Sequence, residues 1–181
     1  MQTIELGTTG LMVSEVGFGG IPIQRLSEEE AVRVVRHCLD LGVTFLDTAH
    51  AYTTSQARIG KAIAERRDGL VLATKNHGLD DDTLRARTEI SPGRLGVEEL
   101  VAREARAAGR IGHIGVTSHS LEMAMALVET GHFETLMFPF NFIMREPAEE
   151  LTPLCRERGV GFIAMKPMGG GLLENATLAF K

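Results

Sequence analysis

The chain lacks the features that mark secreted and membrane-spanning proteins. It has two cysteines, one tyrosine and no tryptophan in 181 residues. Cys38 and Cys155 are too few for a disulfide framework, and each falls among apolar positions of a predicted helix, so we expect buried, reduced thiols. No apolar run approaches the roughly 18 residues of a membrane span, and the N-terminus has no signal-like pattern. These absences predict a cytoplasmic protein that does not enter a membrane.

Positive charge is also scarce. The 19 Lys and Arg residues are outnumbered by 24 Asp and Glu residues, for a formal net charge of −5. A nucleic-acid surface needs clustered basic residues, so this balance disfavours a nucleic-acid partner. No set of His, Cys, Asp and Glu has the spacing of metal ligands, so we expect no metal site. No sequence feature indicates an oligomeric state.

What remains is an ordinary globular composition with a repeating pattern. With 44% hydrophobic and 24% charged residues, the chain is predicted to form one domain over residues 1–181. Short apolar strands alternate with amphipathic helices. The strands are predicted at residues 13–17, 43–46, 70–73, 111–116, 136–140 and 162–165. Helix starts are predicted at Ser27, which has capping-box spacing to Glu30, at Ser120 and at Thr152, which precedes Pro153.

The alternation predicts parallel βα units, in either a doubly wound sheet or a TIM-type barrel. No strand-to-helix turn carries a glycine-rich phosphate-binding motif of the open-sheet folds. Polar residues instead follow several strands at once, which is how a barrel builds a site at its C-terminal face. These residues are Asp47, Lys75, Thr117, Ser118, His119, Asn141 and Lys166. The pattern therefore favours the barrel.

The barrel is predicted to be incomplete, with about six recognisable βα units. Residues 79–110 contain no β-type apolar run and are interrupted by Ser91, Pro92 and Gly93. A (β/α)8 barrel usually takes about 250 residues, so both this stretch and the short end after Gly171 predict missing elements.

Three of the residues that follow strands form a chemically sensible group. Asp47 and Lys75 end neighbouring strands, and Tyr52, the only tyrosine, lies on the loop between them. An ammonium held by a carboxylate is expected to lower the pKa of a nearby phenol, which could then protonate a carbonyl oxygen. The alternative is a structural ion pair beside a tyrosine that serves only in packing.

A resemblance supports the catalytic interpretation. Six motifs resemble, in order, successive motifs of the aldo-keto reductase family, across about 170 residues. They are Gly17-Phe18-Gly19-Gly20, Phe45-Leu46-Asp47-Thr48-Ala49 with Tyr52, Ala73-Thr74-Lys75, Ile114-Gly115-Val116-Thr117-Ser118, Phe140-Asn141 and Lys166-Pro167-Met168-Gly169-Gly170.

The resemblance implies a (β/α)8 barrel that binds NADPH, with NADH as a second possibility, and reduces a small aldehyde or ketone. It makes Tyr52 the proton donor, Lys75 the group that lowers the pKa of Tyr52, and Asp47 the residue that holds Lys75. It also implies a cofactor site. That site comprises Gly19, Gly20, Ile21 and Asp47 near the nicotinamide, Thr117, Ser118 and Asn141 on later strands, Met165 at the usual stacking position, and Pro167, Gly169 and Gly170 along the pyrophosphate.

One family residue has no counterpart. The family's catalytic histidine closes the fourth strand, where this chain has no predicted strand, and His77 is the nearest histidine on the Lys75 loop. A catalytically impaired barrel that binds a dinucleotide or a protein partner is therefore an alternative. A third possibility is a different TIM-barrel enzyme that uses Lys75 as an amine nucleophile.

Overall fold

The computed structural model describes residues 1–75, 106–107, 109 and 111–169. The chain divides into two compact units, which we describe separately. Unit 1 consists of Met1–Glu5 with Leu11–Glu98, and unit 2 of Leu6–Gly10 with Glu99–Lys181. The predicted absence of a strand within residues 79–110, and of elements after Gly171, concerns residues that lie almost wholly outside the described part. The single domain over residues 1–181 stays a prediction.

Unit 1 is built on a parallel three-stranded sheet flanked by two helices. A hairpin of β1 (Thr3–Glu5) and β2 (Met12–Ser14) comes first. The order then is β3 (Phe18–Gly19), a 3-10 helix (Pro22–Arg25), α1 (Glu28–Asp40), β4 (Phe45–Asp47), α2 (Ser55–Ile63) and β5 (Val71–Ala73). The sheet order is β3-β4-β5, with every pair parallel.

The strand predicted at residues 13–17 is wrong. The first half of that apolar run belongs to β2, which pairs antiparallel with β1, and the parallel strand beside β4 starts only at Phe18. The hairpin gave no signal in the sequence because all three residues of β1 are exposed. A strand without a buried side has no apolar alternation to detect.

The helices of unit 1 follow the sequence pattern more closely. The hydroxyl of Ser27 accepts a hydrogen bond from the Glu30 amide, and the Glu30 carboxylate accepts one from the Ser27 amide, which completes the predicted capping box. The inner face of α1 carries Ala31, Val35 and Leu39. These side chains pack in one core with residues of β4 and α2, namely Leu46, Ile59, Ala62 and Ile63.

Unit 2 repeats the arrangement. Its elements are β6 (Gly115–Thr117), α3 (Leu121–Glu129), β7 (Thr135–Pro139), a 3-10 helix (Glu146–Ala148), α4 (Leu151–Glu157) and β8 (Gly161–Met165). The sheet order is β6-β7-β8, again parallel, and its core contains Ala124, Val128, Leu136, Phe138, Leu151, Cys155 and Val160. In both sheets the chain leaves each strand at the same edge, so residues that follow the strands are close neighbours.

Of the two helix caps predicted in unit 2, one is confirmed and one is wrong. Ser120 caps α3 as predicted, with its hydroxyl accepting from the Met123 amide at 3.3 Å. Thr152 is not a cap, because α4 begins one residue earlier at Leu151, whose fully buried side chain belongs to the core. Pro153 still falls in the first turn, where its missing N–H costs little.

Both cysteines are free, and the prediction that both are buried is confirmed only for Cys155. Cys38 is half-buried and Cys155 is buried, and burial raises the pKa of the Cys155 thiol to about 11. Among the residues that the structure describes, no helix is both long and apolar enough to cross a membrane.

Candidate active site

Unit 1 brings Asp47, Tyr52 and Lys75 together. Asp47 is the last residue of β4 and pairs with Ala73 of β5, so Lys75 emerges just beyond the end of the neighbouring strand. Its ammonium donates a hydrogen bond to the Asp47 carboxylate and another, of 2.9 Å, to the Thr48 carbonyl oxygen. Only 17% of the Lys75 side chain and 14% of the Asp47 side chain are exposed. The predicted ion pair is therefore present and largely shielded from water.

Tyr52 lies against this pair. The Lys75 ammonium lies 5.4 Å from the centroid of the tyrosine ring. At this distance a cation is attracted to the electron-rich face of an aromatic ring. The contact places the phenol, the ammonium and the carboxylate in one cluster.

The backbone after β4 is fixed by hydrogen bonds that extend the pairing of β4 with β5. The Thr48 amide donates to the Ala73 carbonyl and the His50 amide donates to the Lys75 carbonyl, both at 2.9 Å. The Tyr52 amide then closes a turn on the Ala49 carbonyl at 3.0 Å. The cluster is thus held by main-chain geometry as well as by side chains.

The electrostatics of the cluster differ from the sequence-based expectation. Burial raises the pKa of Asp47, and the hydrogen bond and charge of Lys75 oppose that rise. Burial is also the main cause of a raised pKa of Tyr52, with the negative charge of Asp47 as the second cause. The expectation that Lys75 lowers the pKa of Tyr52 is therefore wrong for this structure. Lys75 directs its hydrogen bonds to Asp47 and Thr48, and desolvation of the phenol dominates.

The predicted nicotinamide segment follows β3 in the same unit. Gly20 is buried, and its amide donates to the Asp47 carbonyl at 2.8 Å. Gly19 and Ile21 on either side are exposed. This segment therefore lies directly beside the end of β4.

The predicted cofactor residues of unit 2 lie at the corresponding edge of the second sheet. Thr117 ends β6 and is exposed, whereas Ser118 is buried. The Ser118 hydroxyl donates to the Ser120 carbonyl at 3.0 Å and accepts from the Ser120 amide at 3.2 Å. Its side chain therefore shapes the turn into α3.

Asn141 connects the loops that follow β7 and β8. Its side-chain amide donates to the Lys166 carbonyl at 3.1 Å, and its side-chain oxygen accepts from the amides of Ile143 and Met144 at 2.9 and 3.0 Å. Both polar atoms thus bind backbone groups. Asn141 fixes the shape of this edge.

The segment after β8 carries the positive charge of Lys166, a residue with no specific role assigned from the sequence. Met165 ends β8 and is half-buried, and Lys166 has a left-handed backbone with φ of 56°. The Gly169 amide closes a turn on the Lys166 carbonyl at 2.8 Å, and Pro167 lies exposed inside that turn. Gly170 lies outside the described residues.

Lys166 has a neighbour across the sheet edge. Its ammonium lies 3.4 Å from Nε2 of His119, which follows β6. Burial, and secondarily the charge of Lys166, lower the pKa of His119. The Lys166 ammonium and the His119 imidazole therefore lie side by side in unit 2.

The structure accordingly groups the predicted residues as two sets. Unit 1 holds Gly19, Gly20, Ile21, Asp47, Tyr52 and Lys75, and unit 2 holds Thr117, Ser118, Asn141, Met165, Pro167 and Gly169. His50 is exposed, and His77 lies outside the described residues. One buried residue of unit 1, Ser55, was missed because a serine at a helix start usually indicates only a cap.

Comparison with known proteins places the chain in a family. The model of the aldo/keto reductase family matches residues 15–101 and 96–179. A probable aldo-keto reductase of Glycine max is 26% identical over 209 residues, covering 94% of this chain and 60% of that protein. The aldo-keto reductase YhdN of Bacillus subtilis is 28% identical over 211 residues, covering 96% of this chain and 64% of that protein. The chain therefore spans less than two thirds of these relatives.

The alignment also shows that the relative is longer within the aligned region. The 209 aligned positions include only about 170 residues of this chain, so about 40 positions of the Glycine max protein have no counterpart. The two matches of the family model overlap at residues 96–101.

Solved structures give the same fold. The aldo-keto reductase AKR11C1 of Bacillus halodurans, in its holo form, has a TM-score of 0.78 and 25% identity, covering 96% of this chain and 68% of that one. An aldo/keto reductase of Klebsiella pneumoniae in complex with NADP and acetate has a TM-score of 0.79 and 22% identity, covering 96% and 71%. The chain belongs to the aldo/keto reductase family and has the family's TIM-type (β/α)8 barrel fold in incomplete form.

Proposed function

We propose that this protein is an NAD(P)H-dependent oxidoreductase that reduces a small aldehyde or ketone to an alcohol. The observation that carries the proposal is the cluster of Asp47, Tyr52 and Lys75 at the ends of β4 and β5, where the predicted ion pair is formed and Tyr52 lies against it. Family membership supplies the reaction class, and the cluster supplies groups suited to it.

Tyr52 is the proton donor in this proposal. Its raised pKa keeps the phenol protonated at neutral pH, so the proton is available for transfer to a carbonyl oxygen, and the same rise makes the phenol a weaker acid. In this proposal the Lys75 ammonium, 5.4 Å from the centroid of the ring, is the cation beside the proton donor. Asp47 and the Thr48 carbonyl hold that ammonium in place.

The residues of unit 2 fit a dinucleotide. A pyrophosphate requires cationic or N–H donors, and Lys166 provides a cation at the edge where Thr117, Ser118 and Asn141 also lie. We assign Met165, Pro167, Gly169 and Gly170 of unit 2, and separately Gly19, Gly20 and Ile21 of unit 1, to cofactor binding. When bound, NADPH or NADH supplies the hydride that attacks the carbonyl carbon.

A specific observation favours a second candidate. About 40 positions of the Glycine max relative are lost from this chain, and the family's catalytic histidine closes a strand that the sequence pattern does not show. A barrel that binds the dinucleotide without turnover would follow from that loss. An amine nucleophile at Lys75 is less well supported, because its ammonium donates hydrogen bonds to Asp47 and Thr48.

The test combines cofactor binding with turnover. We expect the purified chain to bind NADPH, measured by fluorescence titration, and to oxidise NADPH when a generic aldehyde is added. Binding without any turnover would favour the second candidate. If neither NADPH nor NADH binds, both candidates fail.

A further inference from the structure

Ser55 forms a buried hydrogen-bonded junction beside the proposed catalytic cluster. It is the first residue of α2 and its exposure is 0%. Its hydroxyl accepts a hydrogen bond from the Thr48 hydroxyl and donates one to the Gly20 carbonyl, both at 2.9 Å and both buried. The side chain thus contacts the segments that follow β3 and β4.

The same residue also holds Tyr52 through its backbone. The Ser55 amide donates to the Tyr52 carbonyl at 2.7 Å. The Gly20 amide in turn donates to the Asp47 carbonyl at 2.8 Å. One serine therefore joins the turn that carries the proton donor, the strand end that carries Asp47 and the glycine segment.

Steric room at this junction is very small. A Cβ added to Gly20 would lie 2.5 Å from Oγ of Ser55 and 3.0 Å from the Asp47 carbonyl oxygen. Carbon and oxygen atoms do not approach so closely without displacement. The hydroxyl of Ser55 and the backbone of Gly20 are therefore fitted to one another.

The turn between Tyr52 and Ser55 needs such support. Thr53 has φ of 37°, a left-handed conformation that is unfavourable for a residue with a side chain. The Thr53 hydroxyl donates to the Gln24 side chain at 2.9 Å. The turn that presents Tyr52 is strained, and contacts hold it at both Thr53 and Ser55.

We propose that Ser55 is a positioning residue for the reduction, whose hydroxyl holds Tyr52 in its place beside Asp47 and Lys75. The proposal rests on the proposed function, since it takes Tyr52 as the proton donor. A purely structural serine would contribute to folding stability alone. The hydroxyl of Ser55 does not cap α2, because Thr54 is the N-cap residue and the bonds of Ser55 go to Thr48 and Gly20.

The chain offers a direct probe of this position. Tyr52 is the only tyrosine and there is no tryptophan, so ultraviolet absorbance reports ionisation of Tyr52 alone. Burial and the charge of Asp47 raise the pKa of Tyr52. If the turn that carries Tyr52 loosens, Tyr52 becomes less buried and moves away from Asp47, so both causes of its raised pKa weaken. In Ser55→Ala we expect the titration midpoint to fall toward that of free tyrosine.

Ser14 provides a matched control in the same unit. It is 3% exposed, and its hydroxyl donates to the Val16 carbonyl at 2.8 Å and accepts from the Thr44 amide at 2.9 Å. Ser14→Ala should destabilise the fold by a similar amount and leave the Tyr52 midpoint unchanged. Equal midpoints in Ser55→Ala and the parent protein, or equal shifts in the two alanine variants, would overturn the proposal.

Two further measurements distinguish a local change at Tyr52 from general unfolding of Ser55→Ala. Thr48→Val removes one donor to Ser55 while keeping the side-chain shape, and it should move the midpoint in the same direction by a smaller amount. Carbon-13-labelled tyrosine gives one resonance at neutral pH, which should shift in Ser55→Ala and Thr48→Val and not in Ser14→Ala. If the tyrosine resonance does not shift in Ser55→Ala or in Thr48→Val, the proposal is contradicted.

Kinetics then separate this inference from the proposed function. We expect Ser55→Ala to lower kcat about tenfold to a hundredfold with little change in the KM for the carbonyl substrate. If the parent protein shows no turnover, the proposed function fails while the titration still decides the role of Ser55. If turnover is present and Ser55→Ala retains full kcat, the positioning role alone fails.

Discussion

The two units place their candidate residues at the same edge of similar sheets but use the side chains differently. In unit 1, Lys75 contacts both Asp47 and Tyr52, and burial raises the pKa of Asp47 and of Tyr52. In unit 2, Ser118 and Asn141 bind backbone groups and shape loops. Under the proposed function, unit 1 carries the proton transfer and unit 2 contributes to cofactor binding. Variants in the two units should therefore affect different steps.

The largest expected effect is on catalysis through unit 1. Tyr52→Phe removes the proposed proton donor and keeps the ring that packs against Lys75. We expect kcat for aldehyde reduction to fall by about a hundredfold to ten-thousandfold, with unchanged NADPH binding, measured by steady-state kinetics and fluorescence titration. Turnover that survives this change would defeat the assignment of Tyr52.

A second prediction concerns the stability of the ion pair in unit 1. Lys75→Met leaves the shielded carboxylate of Asp47 without its partner, so we expect a loss of about 3 kcal/mol in the free energy of unfolding, measured by urea denaturation. The double variant with Asp47→Asn should recover part of that loss. Lys61→Met is the control, because the pair of Lys61 with Glu28 is exposed and should contribute little to the free energy of unfolding. Equal losses of unfolding free energy in Lys75→Met and Lys61→Met would contradict the claim that the shielded pair of Asp47 with Lys75 stabilises the fold more than an exposed pair does.

Binding through unit 2 gives a third prediction. Lys166→Met removes the cation beside His119, so we expect the Kd for NADPH to rise about tenfold, equivalent to about 1.4 kcal/mol, with kcat at saturating NADPH nearly unchanged. Lys61→Met again serves as the control and should leave the Kd as it is. A fall in kcat without a change in Kd would contradict the proposal that Lys166 acts in cofactor binding.

The smallest expected effect is a dependence of stability on alkaline pH. A raised pKa of Tyr52 means that the folded state holds this proton more tightly than the unfolded chain does. The stability that Tyr52 contributes is thus fully present below about pH 10 and is lost as the pH rises through the folded-state pKa. Thermal melts should therefore show a larger loss of stability on the alkaline side in the parent than in Tyr52→Phe. Parallel curves would mean that the pKa is not raised.

Much of the fold was predictable from local chemistry. The capping box at Ser27 and the cap at Ser120 are formed, because such signals depend on residues three positions apart. The hairpin of Thr3–Glu5 with Met12–Ser14 was not predicted, since a fully exposed strand has no apolar pattern. The ion pair of Asp47 with Lys75 followed from parallel strands that end at one edge.

Other parts of the site depend on distances that a sequence does not contain. The direction of the pKa shift of Tyr52 results from competition between burial, Asp47 and Lys75, and the three groups must be located before it can be worked out. The contact of Lys166 with His119 joins residues 47 positions apart. Ser55 is a buried serine whose partners, Gly20 and Thr48, lie on two other segments.

The most direct test of the central cluster is an absorbance titration of the single tyrosine in the parent protein and in Asp47→Asn. We expect a midpoint above that of free tyrosine in the parent, because Tyr52 is partly buried beside a negative charge. Asp47→Asn removes that charge, so its midpoint should be lower than that of the parent. A parent midpoint equal to that of free tyrosine, unchanged by Asp47→Asn, would show that Tyr52 is not part of a cluster with Asp47 and Lys75.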